Sequence, residues 1–86
     1  MPNPNEIDLI VVVNGQPTPV KGNVHAPLKT AIEHALKESG NSGQPIDNWE
    51  MRDAGGQILD PTRKIGDFNF PPGVTLFLNL KAGVGG

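Results

Sequence analysis

The first patterned stretch, Glu6 to Val13, is rich in β-branched residues and reads as a strand. Asn14-Gly15 follows, and both residues tolerate the positive φ of a two-residue hairpin turn. A second strand is therefore predicted from near Thr18 to Val24. Pro17 and Pro19 have no N–H to give to a ladder, so this strand is expected at a sheet edge, with weak or irregular pairing at its start. Leu28, Ala31, Ile32, Ala35 and Leu36 then recur at helical spacing, with Lys29, Glu33 and Lys37 on the opposite face. Pro27 suits a first helical position and Gly40 a left-handed C-terminal cap.

Period two returns at Asn48 to Asp53, which turns Trp49 and Met51 inward. Ala54-Gly55-Gly56 reverses the chain and Ile58-Leu59 reads as a short return strand. Ile65, Phe68 and Phe70 mark a compact connection with one helical turn near Lys64 to Phe68. Pro71-Pro72-Gly73 is a turn, and Val74 to Leu80 is the last strand. The expected organisation is a disordered leader over 1–5, one domain over 6–80 and a flexible tail over 81–86. A hairpin followed by a helix and further strands indicates an α+β layer, one helix across a mixed sheet of four to five strands. Alternation places Ile7, Leu9, Val11, Val20, Val24, Trp49, Met51, Leu76 and Leu78 toward the helix. Ile10, Val12, Glu50, Arg52, Phe77 and Asn79 then face outward.

Composition narrows the functional classes. The chain of 86 residues contains no cysteine, which excludes disulfides, thiol nucleophiles and thiolate metal sites. The longest apolar run, Leu9 to Val13, falls far short of the ~18 residues that span a bilayer. Met1-Pro2-Asn3-Pro4 lacks the basic start and apolar stretch of a signal peptide. A net charge of −2 supplies no electrostatic reason to seek nucleic acid or an anionic membrane. His25 and His34 have no carboxylates at ligand spacing, so no metal is expected. Asp60 and Asp67 lie at turns, where Asp caps backbone N–H groups. No nucleophile–base pair is visible, so neither catalysis nor a cofactor is expected. The reading is a small cytoplasmic monomer.

At Gly56 the pattern becomes specific. Gly56-Gln57-Ile58-Leu59-Asp60-Pro61-Thr62-Arg63-Lys64-Ile65-Gly66-Asp67-Phe68-Asn69-Phe70 precedes Val74-Thr75-Leu76-Phe77-Leu78-Asn79-Leu80-Lys81, and the printed sequence closes on Gly85-Gly86. This resembles the second half of ubiquitin, where a Gly-x-x-Leu short strand leads to a Leu-Ser-Asp-Tyr-Asn-Ile turn, a Thr-Leu-x-Leu final strand and Gly-Gly. The hairpin–helix order extends the likeness over nearly the whole chain. The resemblance implies a β-grasp fold and a protein modifier, of the kind found in prokaryotic operons beside activating, conjugating and isopeptidase-like genes. It implies that an activating enzyme adenylates the Gly86 carboxylate with ATP, and that a conjugating enzyme delivers the acyl group to amines of target proteins. An isopeptidase or processing protease would complete the set. A carboxylate is unreactive until its oxygen becomes a good leaving group, so such a protein is a substrate and its enzymes supply the catalysis. Gly85 and Gly86 offer an unhindered carbonyl and a backbone that threads a narrow channel at any φ. The six residues Lys81 to Gly86 reach at most ~20 Å when extended.

The departures from ubiquitin bear on partners. The tail is one residue longer, with Ala82 and Gly83 where ubiquitin has leucine and arginine, and Val84 before the glycines; only Lys81 keeps the basic character. Recognition through Lys81, Ala82, Gly83 and Val84 therefore points to a dedicated enzyme set. Phe68 stands in place of the family's tyrosine and is expected in the core without a hydroxyl bond. Trp49 is expected in the core with its indole N–H on a carbonyl or water. Glu50, Arg52 and Asn79 occupy the outer-face positions where ubiquitin carries its apolar recognition patch. Ile10, Val12 and Phe77 should instead cluster on the first and last strands, making a partner face bordered by Arg52 and Asn79. Lys21, Lys29, Lys37, Lys64 and Lys81 avoid the family's two main linkage positions, which align near Gln57 and Pro72, so chains are not expected. Two other readings share this fold: a sulfur carrier with a terminal thiocarboxylate, and an interaction module that is never conjugated.

Overall fold

The computed structural model describes residues 4–82. Strand β1 covers Glu6–Val13, β2 Gln16–Asn23, helix α1 Leu28–Glu38, β3 Trp49–Arg52 and β4 Val74–Leu80; 3-10 turns occupy Ile46–Asn48 and Ile65–Phe68. The sheet order is β2-β1-β4-β3. The central β1/β4 pair is parallel and both outer pairs are antiparallel, so the sheet is mixed. No helix among the described residues is long and apolar enough to cross a membrane.

The hairpin is more regular than its prolines foretell. Asn14 and Gly15 take φ of 49° and 85°, as a type I′ turn requires. That turn pairs Val13 with Gln16, and the register then runs unbroken to Glu6 opposite Asn23. In an antiparallel ladder, hydrogen-bonded and non-hydrogen-bonded pairs alternate. Counting from the turn, Val12–Pro17 and Ile10–Pro19 are non-hydrogen-bonded pairs, so both proline nitrogens face the open edge. β2 is thus an edge strand, as expected, but its pairing is complete from Gln16 onward. The missing N–H groups blunt that edge against strand addition.

Leu28, Ala31, Ile32, Ala35 and Leu36 of α1 are buried against Leu9, Val11, Val13, Val20, Trp49, Met51, Leu76 and Leu78 of the sheet. Ile7 and Val24 are only half-buried. Thr18, opposite Val11, joins the buried side and donates its hydroxyl to the Gln16 carbonyl at 3.1 Å. Pro27 sits just before the helix rather than at its first position, and no side chain caps it. The first helical N–H groups are met instead by a loop: Leu28 N donates to Arg63 O at 2.8 Å and Lys29 N to Pro61 O at 2.9 Å. Asp60 shapes that loop by accepting from the Thr62 hydroxyl at 2.7 Å and its N–H at 2.9 Å. These bonds, the hydroxyl's first, hold its carboxyl below the ordinary value. At the other end Gly40 has φ +76°, with Gly40 N donating to Lys37 O and Asn41 N to Leu36 O, a Schellman cap.

Three further expectations are corrected. Ile58-Leu59 is a single bridge, Ile58 to Arg52, supported by Leu59 N donating to Met51 O at 2.8 Å; the sheet has four strands. Asp53 N donates to Gln57 O at 3.0 Å on the turn side of that bridge. Trp49 is core as expected, 5% exposed, and its Nε1 meets no protein acceptor among the described residues. Phe68 is half-buried rather than enclosed, stacked on Phe70 at 5.1 Å under the Arg63 guanidinium. Asn5, placed by sequence in the leader, accepts from Val24 N at 2.7 Å.

Gly22 faces the core where Ile65 arrives. A Cβ there would lie 2.8 Å from Ile65 Cδ1 and 3.2 Å from Leu9 Cδ1. Both neighbours are enclosed, so Gly22→Ala is expected to lower unfolding free energy by about 1–3 kcal/mol through overpacking. Urea unfolding followed by the single tryptophan measures this.

Candidate functional site

The outer sheet face is built by register. Two-residue hairpin geometry sets Val12 opposite Pro17 and Ile10 opposite Pro19. The parallel pairing sets Val12 beside Phe77 and Ile10 beside Thr75, and β3 sets Arg52 beside Phe77. One row therefore reads Pro17, Val12, Phe77, Arg52 across all four strands, and the next reads Pro19, Ile10, Thr75. Ile58 extends the first row through its bridge to Arg52. Phe77 is 36% and Ile58 56% exposed, while Ile10 and Val12 are half-buried and both prolines exposed. A groove of about 400 Å³ runs beside Ile10 and Pro19, flanked by Asp8 and Lys21.

The expected cluster of Ile10, Val12 and Phe77 is thus assembled on one face. Sequence reading missed Pro17, Pro19 and Ile58. Pro17 and Pro19 were legible, because a two-residue turn at Asn14-Gly15 fixes which β2 residues share a face with Ile10 and Val12. Charge on this face is largely self-neutralised. Arg52 donates from Nη2 and Nε to Glu50 Oε2 at 2.9 and 3.2 Å and from Nη1 to Gly56 O at 2.8 Å. An exposed pair of this kind contributes only ~0–1 kcal/mol, and its effect is to tie the guanidinium to Glu50 and the Gly56 turn. Asn79, opposite Glu50, is exposed at the border.

β4 also leads to the arm that the sequence singles out. Leu80 pairs with Trp49, and Lys81 N donates to Asn48 O at 2.8 Å, one step past the strand. Lys81 and Ala82 are exposed, and Lys81 makes no ion pair among the described residues. Gly83, Val84, Gly85 and Gly86 lie outside the described residues. Among the described residues no three His, Asp or Glu side chains gather as metal ligands.

A four-stranded mixed sheet in the order β2-β1-β4-β3, crossed by one helix, defines a ubiquitin-like β-grasp protein. The fold is shared with a de novo design based on ubiquitin (TM-score 0.77, 20% identity, covering 98% of this chain and 99% of the design). It is shared also with the ubiquitin of Caldiarchaeum subterraneum (TM-score 0.73, 17% identity, covering 94% of this chain and 99% of that one). The chain belongs to the family described as protein of unknown function DUF2604, whose model matches residues 2–86. It is 52% identical over 83 residues to the uncharacterized protein y4jI of Sinorhizobium fredii (strain NBRC 101917 / NGR234). That match covers 96% of this chain and 64% of the relative, so the chain spans under two thirds of the relative's length.

Proposed function

We propose that this protein is a ubiquitin-like modifier, joined through the carbonyl of Gly86 to amines on other proteins by dedicated activating and conjugating enzymes. The observation that carries the reading is the sequence position of Gly85-Gly86, a few residues after the last β-grasp strand and preceded by Ala82, Gly83 and Val84. The chemistry holds whether the Gly86 carboxyl is made at synthesis or freed by cleavage of a following peptide bond. Adenylation turns a carboxylate oxygen into a leaving group, a cysteine of the activating enzyme takes the acyl group, and a target amine displaces the thiol. The protein itself supplies no catalytic group in this scheme. The test is to express the full chain with an N-terminal tag in its source organism and resolve tagged species on a denaturing gel. Adducts of higher mass that survive thiol reductant are expected. A free protein bearing sulfur in place of a terminal oxygen, without adducts, would assign it instead as a sulfur carrier.

The apolar face supports partner docking in the same scheme, since the enzymes must hold the body as well as the arm. Phe77 is its most exposed aromatic group and contributes little to the core from that side. Phe77→Asp is expected to reduce adduct formation about tenfold or more, the effect of losing a central aromatic contact, while the urea midpoint stays near that of the parent. Comparing adduct yields at equal expression measures it.

A further inference from the structure

We propose that a groove lined by side-chain carboxamides, between the hairpin turn and the loop after α1, binds an extended, uncharged segment of a partner protein through its main-chain N–H and C=O groups. The groove encloses about 390 Å³. Trp49 and Leu80, opposite each other in β3 and β4, form its apolar side. Asn14 enters from the hairpin turn, and Asn41 and Gln44 from the loop behind the helix. Each carboxamide is set in place by the fold. Asn14 N donates to Leu78 O at 3.0 Å, Asn41 N closes the helix cap on Leu36 O at 2.7 Å, and Gln44 Oε1 accepts from the Asn48 side chain at 3.0 Å. Asn41 Nδ2 is engaged by Ser39 O and Oγ. Among the described residues no bond occupies Asn14 Oδ1 and Nδ2, Asn41 Oδ1 or Gln44 Nε2, so acceptors and donors both stand open.

That chemistry selects the occupant. None of the described residues lining the groove is charged, so a phosphate, a carboxylate or a cation meets no counter-charge there. A carboxamide presents donor and acceptor together. In an extended chain the N–H and C=O of one residue point the same way, which is how paired strands exchange two bonds. A helix satisfies those groups internally and would leave the carboxamides unmatched, as would an apolar ligand. A nucleobase offers a comparable edge, but binding of bases draws on an exposed aromatic face, and Trp49 is 5% exposed. An extended peptide fits, with a small apolar side chain against half-buried Leu80. Trp49 and Leu80 belong to the helix-facing set of the sheet, opposite to Ile10, Val12 and Phe77, so both surfaces can be filled at once. Nothing in this site depends on conjugation.

The test follows the purified, isotope-labelled full chain by NMR as the capped peptide acetyl-Gly-Ala-Gly-N-methylamide is added. Saturable shifts are expected in the side-chain amides of Asn14, Asn41 and Gln44 and in the Trp49 indole, with half-saturation in the millimolar range and Ile10, Val12 and Phe77 unmoved. Asn14→Gly keeps the positive φ of the turn and its N–H, and is expected to weaken binding about threefold or more, the effect of one net hydrogen bond. Gln44→Ala, at an exposed loop position, is expected to do the same, and the double variant to weaken binding about tenfold. Gln57→Ala removes a carboxamide at the far end of β3 and is expected to bind like the parent. Unchanged β1 and β4 amide resonances in each variant show that the fold is kept. Shifts that grow linearly to the solubility limit, shifts centred on Phe77, undiminished binding by both groove variants, or equal loss in Gln57→Ala would overturn the site. Adenosine, titrated in parallel, is expected to saturate none of these resonances. Saturation by adenosine and not by the peptide would assign the groove to a base and overturn the peptide reading.

Discussion

Deleting Gly85 and Gly86 is expected to abolish every covalent adduct of this protein while its far-UV spectrum and urea midpoint stay unchanged. Two separate causes give that outcome. The pair follows a strand that is already complete, since β4 closes its ladder with β1 and β3 at Leu80 and one further bond at Lys81. The buried cluster of the described residues runs from Leu9 to Leu78. In the proposed chemistry Gly85 and Gly86 supply the reacting carbonyl and the only backbone slim enough for a narrow channel. A graded loss would contradict this account, because a terminus ending at Val84 would place a branched side chain at the acyl carbon. Adduct counts on denaturing gels, beside circular dichroism of the purified deletion, separate the two effects.

The second large effect concerns the body. Leu78 is fully buried and lies between Val13 on one side and Met51 on the other in adjacent strands. Its carbonyl also receives the N–H of Asn14, which ties the hairpin turn to the sheet centre. Truncation to alanine removes packing from three strands and α1 together. Leu78→Ala is expected to cost about 2–5 kcal/mol. A domain of this length has a total stability of only ~5 kcal/mol at the low end of the usual range. The variant should therefore lose most of its urea midpoint at 25 °C, read by tryptophan emission. A midpoint shift comparable to that of a surface substitution would show that β4 is not the spine of the core.

Some of this architecture was readable because local chemistry and tertiary placement agree. β1 and β4 are β-branched or alternating runs bounded by turn residues, and their limits coincide with those in the structure. All five residues predicted for the inner helix face are buried. The β2 start was misjudged because a proline's missing N–H was taken to break a ladder, whereas alternation lets prolines two apart face the open edge. The Ile46–Asn48 turn carries no periodic signal, as three residues are too few to show one. That the Trp49 indole meets no protein acceptor among the described residues was equally hidden, since hydrogen-bond partners for a buried group depend on packing. On the candidate site, Ile10, Val12 and Phe77 were legible from alternation alone. Ile58 was not, because its place on the outer face depends on a single bridge to Arg52. The roles of Gly83, Val84, Gly85 and Gly86 rest on sequence, beyond the described residues.

The most direct measurement is peptide mass spectrometry of proteins from the source organism, after enrichment on the tagged chain and digestion with trypsin. Trypsin cuts after Lys81, so a target lysine joined to Gly86 should carry the branch Ala-Gly-Val-Gly-Gly, residues 82 to 86, on its ε-amine. The account predicts that branch on lysines of other proteins, and its absence from cells expressing the chain without Gly85 and Gly86. If the enriched protein is recovered with no branched peptide, and its own last peptide is unmodified throughout, the carbonyl of Gly86 is not where this protein acts.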